Sequence, residues 1–187
     1  MARLYEDPVA TERIAALNNL GKQILEKLGT LNARSTDAEI NELGKLINTF
    51  FHNTFSKAEM TQGLSVLMNS CLQHAKANHI PKLEQFCMSC VQPMHQRYDC
   101  LEKAEQVNAM LATLKEQVMG VTKYDQDFLT DMHRRLQDAK VGLRQYKDYF
   151  SPQLYERMAK EADVMEAEIT KAVNTKLAGQ VSGGRKF

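Results

Sequence analysis

A chain of 187 residues, 43% hydrophobic and 25% charged, is long enough to bury one sizeable core or two small ones. Its formal net charge of +1 is spread so that Lys and Arg alternate with Asp and Glu, which leaves no basic stripe for nucleic acid. No apolar stretch approaches the ~20 residues that span a bilayer and no secretory leader pattern opens the chain, so the expectation is a cytoplasmic protein without a membrane span, whose four cysteines are thiols or metal ligands rather than a disulfide framework.

Sparse punctuation divides the chain into six helical stretches. Asp7-Pro8 reads as an N-cap with proline at the first helical position. Beyond it Ala10, Ile14, Leu17, Ile24, Leu28 and Leu31 fall on a three-four spacing, the face of a bundle helix, with Gly29 as a stop. Thr36 with Glu39 reads as a capping box for the second helix, whose apolar face uses Ile40, Leu43, Ile47 and Phe50. Ser56 with Glu59 repeats the signal for the third, carrying Met60, Leu64, Leu67, Cys71 and Ala75. Asn78, His79 and Ile80 precede Pro81 and form the next break, because the residue before proline resists the helical region.

The fourth stretch, 81–119, keeps a helical period through Leu83, Cys87, Cys90, Met94, Leu101, Leu111, Leu114 and Val118, with a kink or break expected at Pro93. Gly120 ends it. The fifth runs over 122–149 on Leu129, Met132, Leu136, Ala139, Leu143 and Tyr146. Ser151-Pro152 caps the sixth, which carries Met158, Ala162, Met165 and Ile169 and ends near Gly179. The fold class is therefore all-α, with helices in antiparallel helical-bundle or coiled-coil-like hairpins. The expected organisation is a single helical-bundle domain over 1–178, with a sub-boundary near Pro93, and a flexible C-terminal tail over 179–187.

One stretch, "CLQHAKANHIPKLEQFCMSC" from Cys71 to Cys90, concentrates soft ligands. In a hairpin turning at Ile80-Pro81, Cys71 lies opposite Cys90 and His74 opposite Cys87, at equal distances from the turn. Each i,i+3 pair shares a helix side. Four such side chains converging from two helices suit a structural zinc ion, with His79 and His95 as alternative ligands. Copper(I) is open as well, because Met88 and Met94 add thioethers. The same residues lie on apolar faces, where cysteine behaves as a small core hydrophobe. Cys87-Met88-Ser89-Cys90 also has the spacing of a redox dithiol, although such pairs favour helix N-termini. "CMSCVQPMH", residues 87–95, resembles the CxxCxxxH motif of the helical alkylhydroperoxidase/carboxymuconolactone decarboxylase family, with one extra residue and Pro93 before the histidine.

No Glu-x-x-His pair, P-loop, GxGxxG or GxSxG is present. Three readings follow. The first is a non-catalytic helical interaction or scaffold protein, stapled by one zinc ion at Cys71, His74, Cys87 and Cys90 and binding protein partners or further copies of itself. The second is a thiol oxidoreductase using Cys87 and Cys90. The third is a zinc or copper carrier or sensor. For the first, Tyr149 and Leu154 are the candidate partner-binding residues. They fall off the three-four seam at the tip of the last hairpin, and tyrosine is enriched in binding hot spots.

Overall fold

The computed structural model describes residues 2–183 and is all-α. The helices are α1 (Ala10–Thr30), α2 (Asp37–His52), α3 (Ser65–Ala77), α4 (Pro81–Ser89), α5 (Val91–Val118), α6 (Gln126–Gln145) and α7 (Pro152–Gly183). A π-helical turn, Glu59–Leu64, leads into α3, and short 3-10 turns flank α6.

Local signals account for most of these boundaries. The Thr36 capping box forms in full. The Thr36 hydroxyl accepts from the Glu39 N–H at 3.3 Å, and the Glu39 carboxylate accepts from the Thr36 N–H at 3.0 Å. The Ser56 box forms by half. Its hydroxyl accepts from the Glu59 N–H at 3.1 Å, while the Glu59 carboxylate turns to the Arg13 guanidinium. The first helix starts later than the Asp7-Pro8 pair predicts: α1 begins at Ala10, with Val9 at its N-cap position. The backbone before it is committed elsewhere, since Tyr5 exchanges two hydrogen bonds with Asn108.

The fourth expected stretch is two helices. They part at Cys90, one turn before Pro93, because a proline ring acts backwards. It removes the N–H that would bond the Ser89 carbonyl and collides with that carbonyl. Pro93 itself sits in the first turn of α5, where a missing donor costs nothing. The fifth helix starts later than expected. Its N-cap is Asp125, whose carboxylate accepts from the Phe128 N–H at 2.8 Å. The last helix passes Gly179 and continues to Gly183, so part of the expected tail is helical. Residues 184–187 lie outside the described residues.

The chain divides into two compact units, with boundaries at Pro8/Val9 and Glu102/Lys103 rather than near Pro93. The Val9–Glu102 unit packs α1, α2, the π turn, α3 and α4 against one another. Ile24, Leu43, Met60, Leu64 and Leu83 are its largest fully buried side chains. The other unit comprises residues 2–8 and those from Lys103 onward. Its core joins Leu111, Leu129, Met132, Leu136, Met158 and Ile169, and Tyr5 is buried with them. Here Gly142 lets helices approach closely: a Cβ on it would stand 2.8 Å from Val107 Cγ2.

Candidate functional site

The site begins with the turn between α3 and α4. His79 adopts φ 54°, a left-handed conformation usually left to glycine. The Ile80 N–H reaches back to the Ala75 carbonyl at 2.9 Å, and the His79 N–H to the Lys76 carbonyl at 3.4 Å. That is a Schellman closure of α3. Pro81 then starts α4 at its first position. The antiparallel pairing of α3 and α4 expected from the sequence is therefore present.

The pairing brings three thiols into one electrostatic neighbourhood. Cys71 is fully buried, Cys87 is buried and Cys90 is half-buried at the junction of α4 and α5. All four cysteines, Cys100 included, are free. Burial pushes Cys87 up to about 12, with the neighbouring Cys71 and Cys90 sulfurs adding to it. Burial likewise raises Cys71 to about 11, with a smaller contribution from Cys90. Cys90 is raised by burial too. Each thiolate would place charge in an apolar surrounding, so the neutral thiol prevails. A reactive dithiol needs the opposite, a thiolate favoured at neutral pH.

The histidine goes elsewhere. His74 Nε2 lies 2.8 Å from the Leu31 carbonyl oxygen, which ties the ring to the end of α1. His79 is exposed at the turn and His95 is exposed on α5. Among the described residues, no group of three or more His, Cys, Asp or Glu side chains is arranged to hold a metal ion. Tyr149 and Leu154 are half-buried and pack against the core of the second unit, where they cover its end.

Beside the thiols lies a concave feature that no linear motif announces. The π turn, α3, α4 and the start of α5 leave a cavity of about 420 Å³. Its walls carry Met60, Met68, Met88 and Met94 with Cys87, Val91 and Tyr98. Met60 and Met68 are buried, Met94 is half-buried, and Met88 and Val91 are 59% and 46% exposed. Thr61, Ser65, Asn69 and His95 supply the polar lining, and no lining residue is Asp, Glu, Lys or Arg. Such a volume lies within the range of ligand pockets. A smaller cavity of about 210 Å³ shares Met68 and Met94 and is lined by Cys90. Cys87 and Cys90 therefore face different hollows.

A buried arginine props this region. Arg97 is 7% exposed and donates from Nε to the Thr54 hydroxyl at 3.0 Å and from Nη2 to the Thr54 carbonyl at 2.7 Å. Its guanidinium lies 5.2 Å from the Phe51 ring centre and 5.7 Å from that of Phe55. Arg13 sits 5.2 Å over Phe55 as well. Met94, Arg97 and Leu101 keep the three-four spacing, so a signal for burial was present in the sequence, hidden by the charge of the residue.

No protein-family model, curated protein or solved structure matches the chain.

Proposed function

We propose that the protein is a non-catalytic helical interaction protein that receives the apolar face of a partner helix in the methionine-lined groove of its Val9–Glu102 unit. The supporting observation is the groove itself: four methionines, Val91 and Tyr98 around about 420 Å³, with no ionic side chain in the lining. Methionine is unbranched and polarisable, so a surface built from it can repack around different apolar shapes. An amphipathic helix presents such a face at i, i+3, i+4 and i+7. The raised thiols speak against the oxidoreductase alternative, since nucleophilic sulfur is a thiolate.

A photo-crosslinking side chain placed at Met88 tests this reading in the full chain. It should give a discrete adduct with a partner that is absent when the same group replaces Met119, which is 84% exposed outside the groove. Val91→Glu, at a groove position that is 46% exposed, should abolish the Met88 adduct while leaving thermal unfolding nearly unchanged. Equal adduct patterns from both positions, or an adduct untouched by Val91→Glu, would remove the groove from the account.

The thiol neighbourhood favours one secondary reading. Cys71, Cys87 and Cys90 are not arranged around a common point as they stand, so holding a soft ion such as zinc or copper(I) would require the Cys87 and Cys90 side chains to turn together, with water or a partner's residue in place of His74 as the fourth ligand. Protein purified under reducing conditions would then carry one ion per chain, and chelation would lower its melting temperature. A metal content near zero with unchanged melting leaves the thiols as core.

A further inference from the structure

The segment of residues 2–8 is bound to the second unit the way a peptide is bound to a receptor. Asn108 is buried on α5 and uses its carboxamide bidentately on the Tyr5 main chain. Its Oδ1 accepts from the Tyr5 N–H at 2.8 Å, and its Nδ2 donates to the Tyr5 carbonyl at 2.9 Å. This reads an extended backbone without regard to sequence. Selectivity comes from the side chain. The Tyr5 ring is 8% exposed within the core, and the Lys115 ammonium lies 5.1 Å from its centre. The flanking Arg3 and Glu6 pair with each other at 2.7 Å in the open, and Ala2 packs against the same core. The Asn108 clamp and the Tyr5 anchor are the central contacts of the arm. The 94 residues of Val9–Glu102 separate it in sequence from the rest of its unit.

We infer that the Asn108 clamp and the Tyr5 pocket form a docking site for an extended segment with an aromatic anchor, filled in cis by the chain's own arm and in trans by the same arm of a second copy. The second copy is the occupant because its segment reproduces every contact in the cis state, the condition for exchange of an element between protomers. Burial, together with the neighbouring Glu161 carboxylate, raises the pKa of the Tyr5 hydroxyl to about 12, so the anchor is held as the neutral phenol.

A fluorescent peptide carrying residues 2–9, titrated into the full chain bearing Tyr5→Ala, tests the site. Saturable binding is expected, at least about tenfold tighter than to the wild-type chain, whose site is filled. Adding Asn108→Ala to Tyr5→Ala should weaken it by about tenfold through loss of two hydrogen bonds. Should Tyr5→Ala loosen the bundle, the same peptide is expected to restore its melting temperature towards wild type. Failure to bind and to restore melting, or indifference to Asn108→Ala, overturns the site. Mixed Tyr5→Ala and Asn108→Ala chains should sediment as a one-to-one dimer at concentrations where each alone is monomeric. Sedimentation as the sum of the parts overturns the second copy as occupant.

Discussion

The two units use methionine in opposite ways. In the second, Met132, Met158 and Met165 are 0%, 0% and 3% exposed and fill a continuous core with leucine and isoleucine. In Val9–Glu102, Met88 and Met94 stand at the edge of a hollow that Met60 and Met68 floor. The same flexible side chain closes one core and lines an opening in the other. What separates them is helix spacing. In the second unit Gly142 admits Val107 closely. In the first, the break at Cys90 redirects the chain, and the start of α5 does not close over α3. Apolar composition therefore does not tell a core from a binding surface. The fit between elements does.

The sharpest way to break this contrast is truncation. Met158→Ala should cost about 2–5 kcal/mol in chemical denaturation, the range for emptying a closed core site. Met88→Ala should cost less than about 0.5 kcal/mol, because an exposed side chain leaves no cavity. Similar losses at both positions would show that the groove is packed shut in solution.

Glycine gives a second, smaller contrast. Gly142→Ala should cost about 1–3 kcal/mol, since its Cβ would overlap the stiff Val107 side chain and force a helix apart. Gly44→Ala in the first unit should be near neutral. A Cβ there would touch the Phe86 ring at 3.4 Å, and the better helix propensity of alanine offsets the crowding. A differential scanning measurement that ranked the two the other way would contradict the close-packing account of the second unit.

The thiols of the first unit supply a pH test, to which the raised Tyr5 phenol of the second adds a slope of the same sign that Cys87→Val leaves in place. Cys71 and Cys87 are raised from 9.0 to about 11 and about 12 in the folded state. A group held protonated by folding contributes its full stability below the unfolded value. That contribution is lost as pH climbs from the unfolded value through the folded one. Unfolding free energy should therefore fall between about pH 9 and 12, and Cys87→Val should flatten the slope. A slope unchanged by Cys87→Val would mean that Cys87 titrates like a free thiol.

Smallest is the turn. His79→Gly should stabilise by about 1 kcal/mol, because the left-handed conformation at φ 54° is unfavourable for any residue with a Cβ. Loss of stability on this change would indicate that the imidazole makes a contact worth more than the strain.

The all-α fold was legible because its signals are local. Thr36 and Glu39 lie three residues apart, and their capping box forms as read. Ser151 caps α7 through its carbonyl and hydroxyl as the Ser151-Pro152 pair suggests. Errors arose where a residue acts at a distance along the chain. Pro93 breaks the ladder one turn upstream, and α1 begins at Ala10 rather than at Pro8, after a segment tied to Asn108 through Tyr5. The thiols were traceable from their symmetric spacing about Ile80. The direction of His74 was not, because the Leu31 carbonyl that takes its ring belongs to the end of another helix. The groove was illegible for a deeper reason. Its residues read as ordinary apolar faces, and only the three-dimensional mismatch between those faces leaves a hollow.

Methyl-¹³C methionine spectroscopy of the full chain, titrated with a small apolar probe, tests the open groove most directly. The account predicts saturable shifts of the Met68, Met88 and Met94 methyl signals, with Met132, Met158 and Met165 unmoved. Silence at the three groove methionines, or equal shifts in both sets, would contradict it.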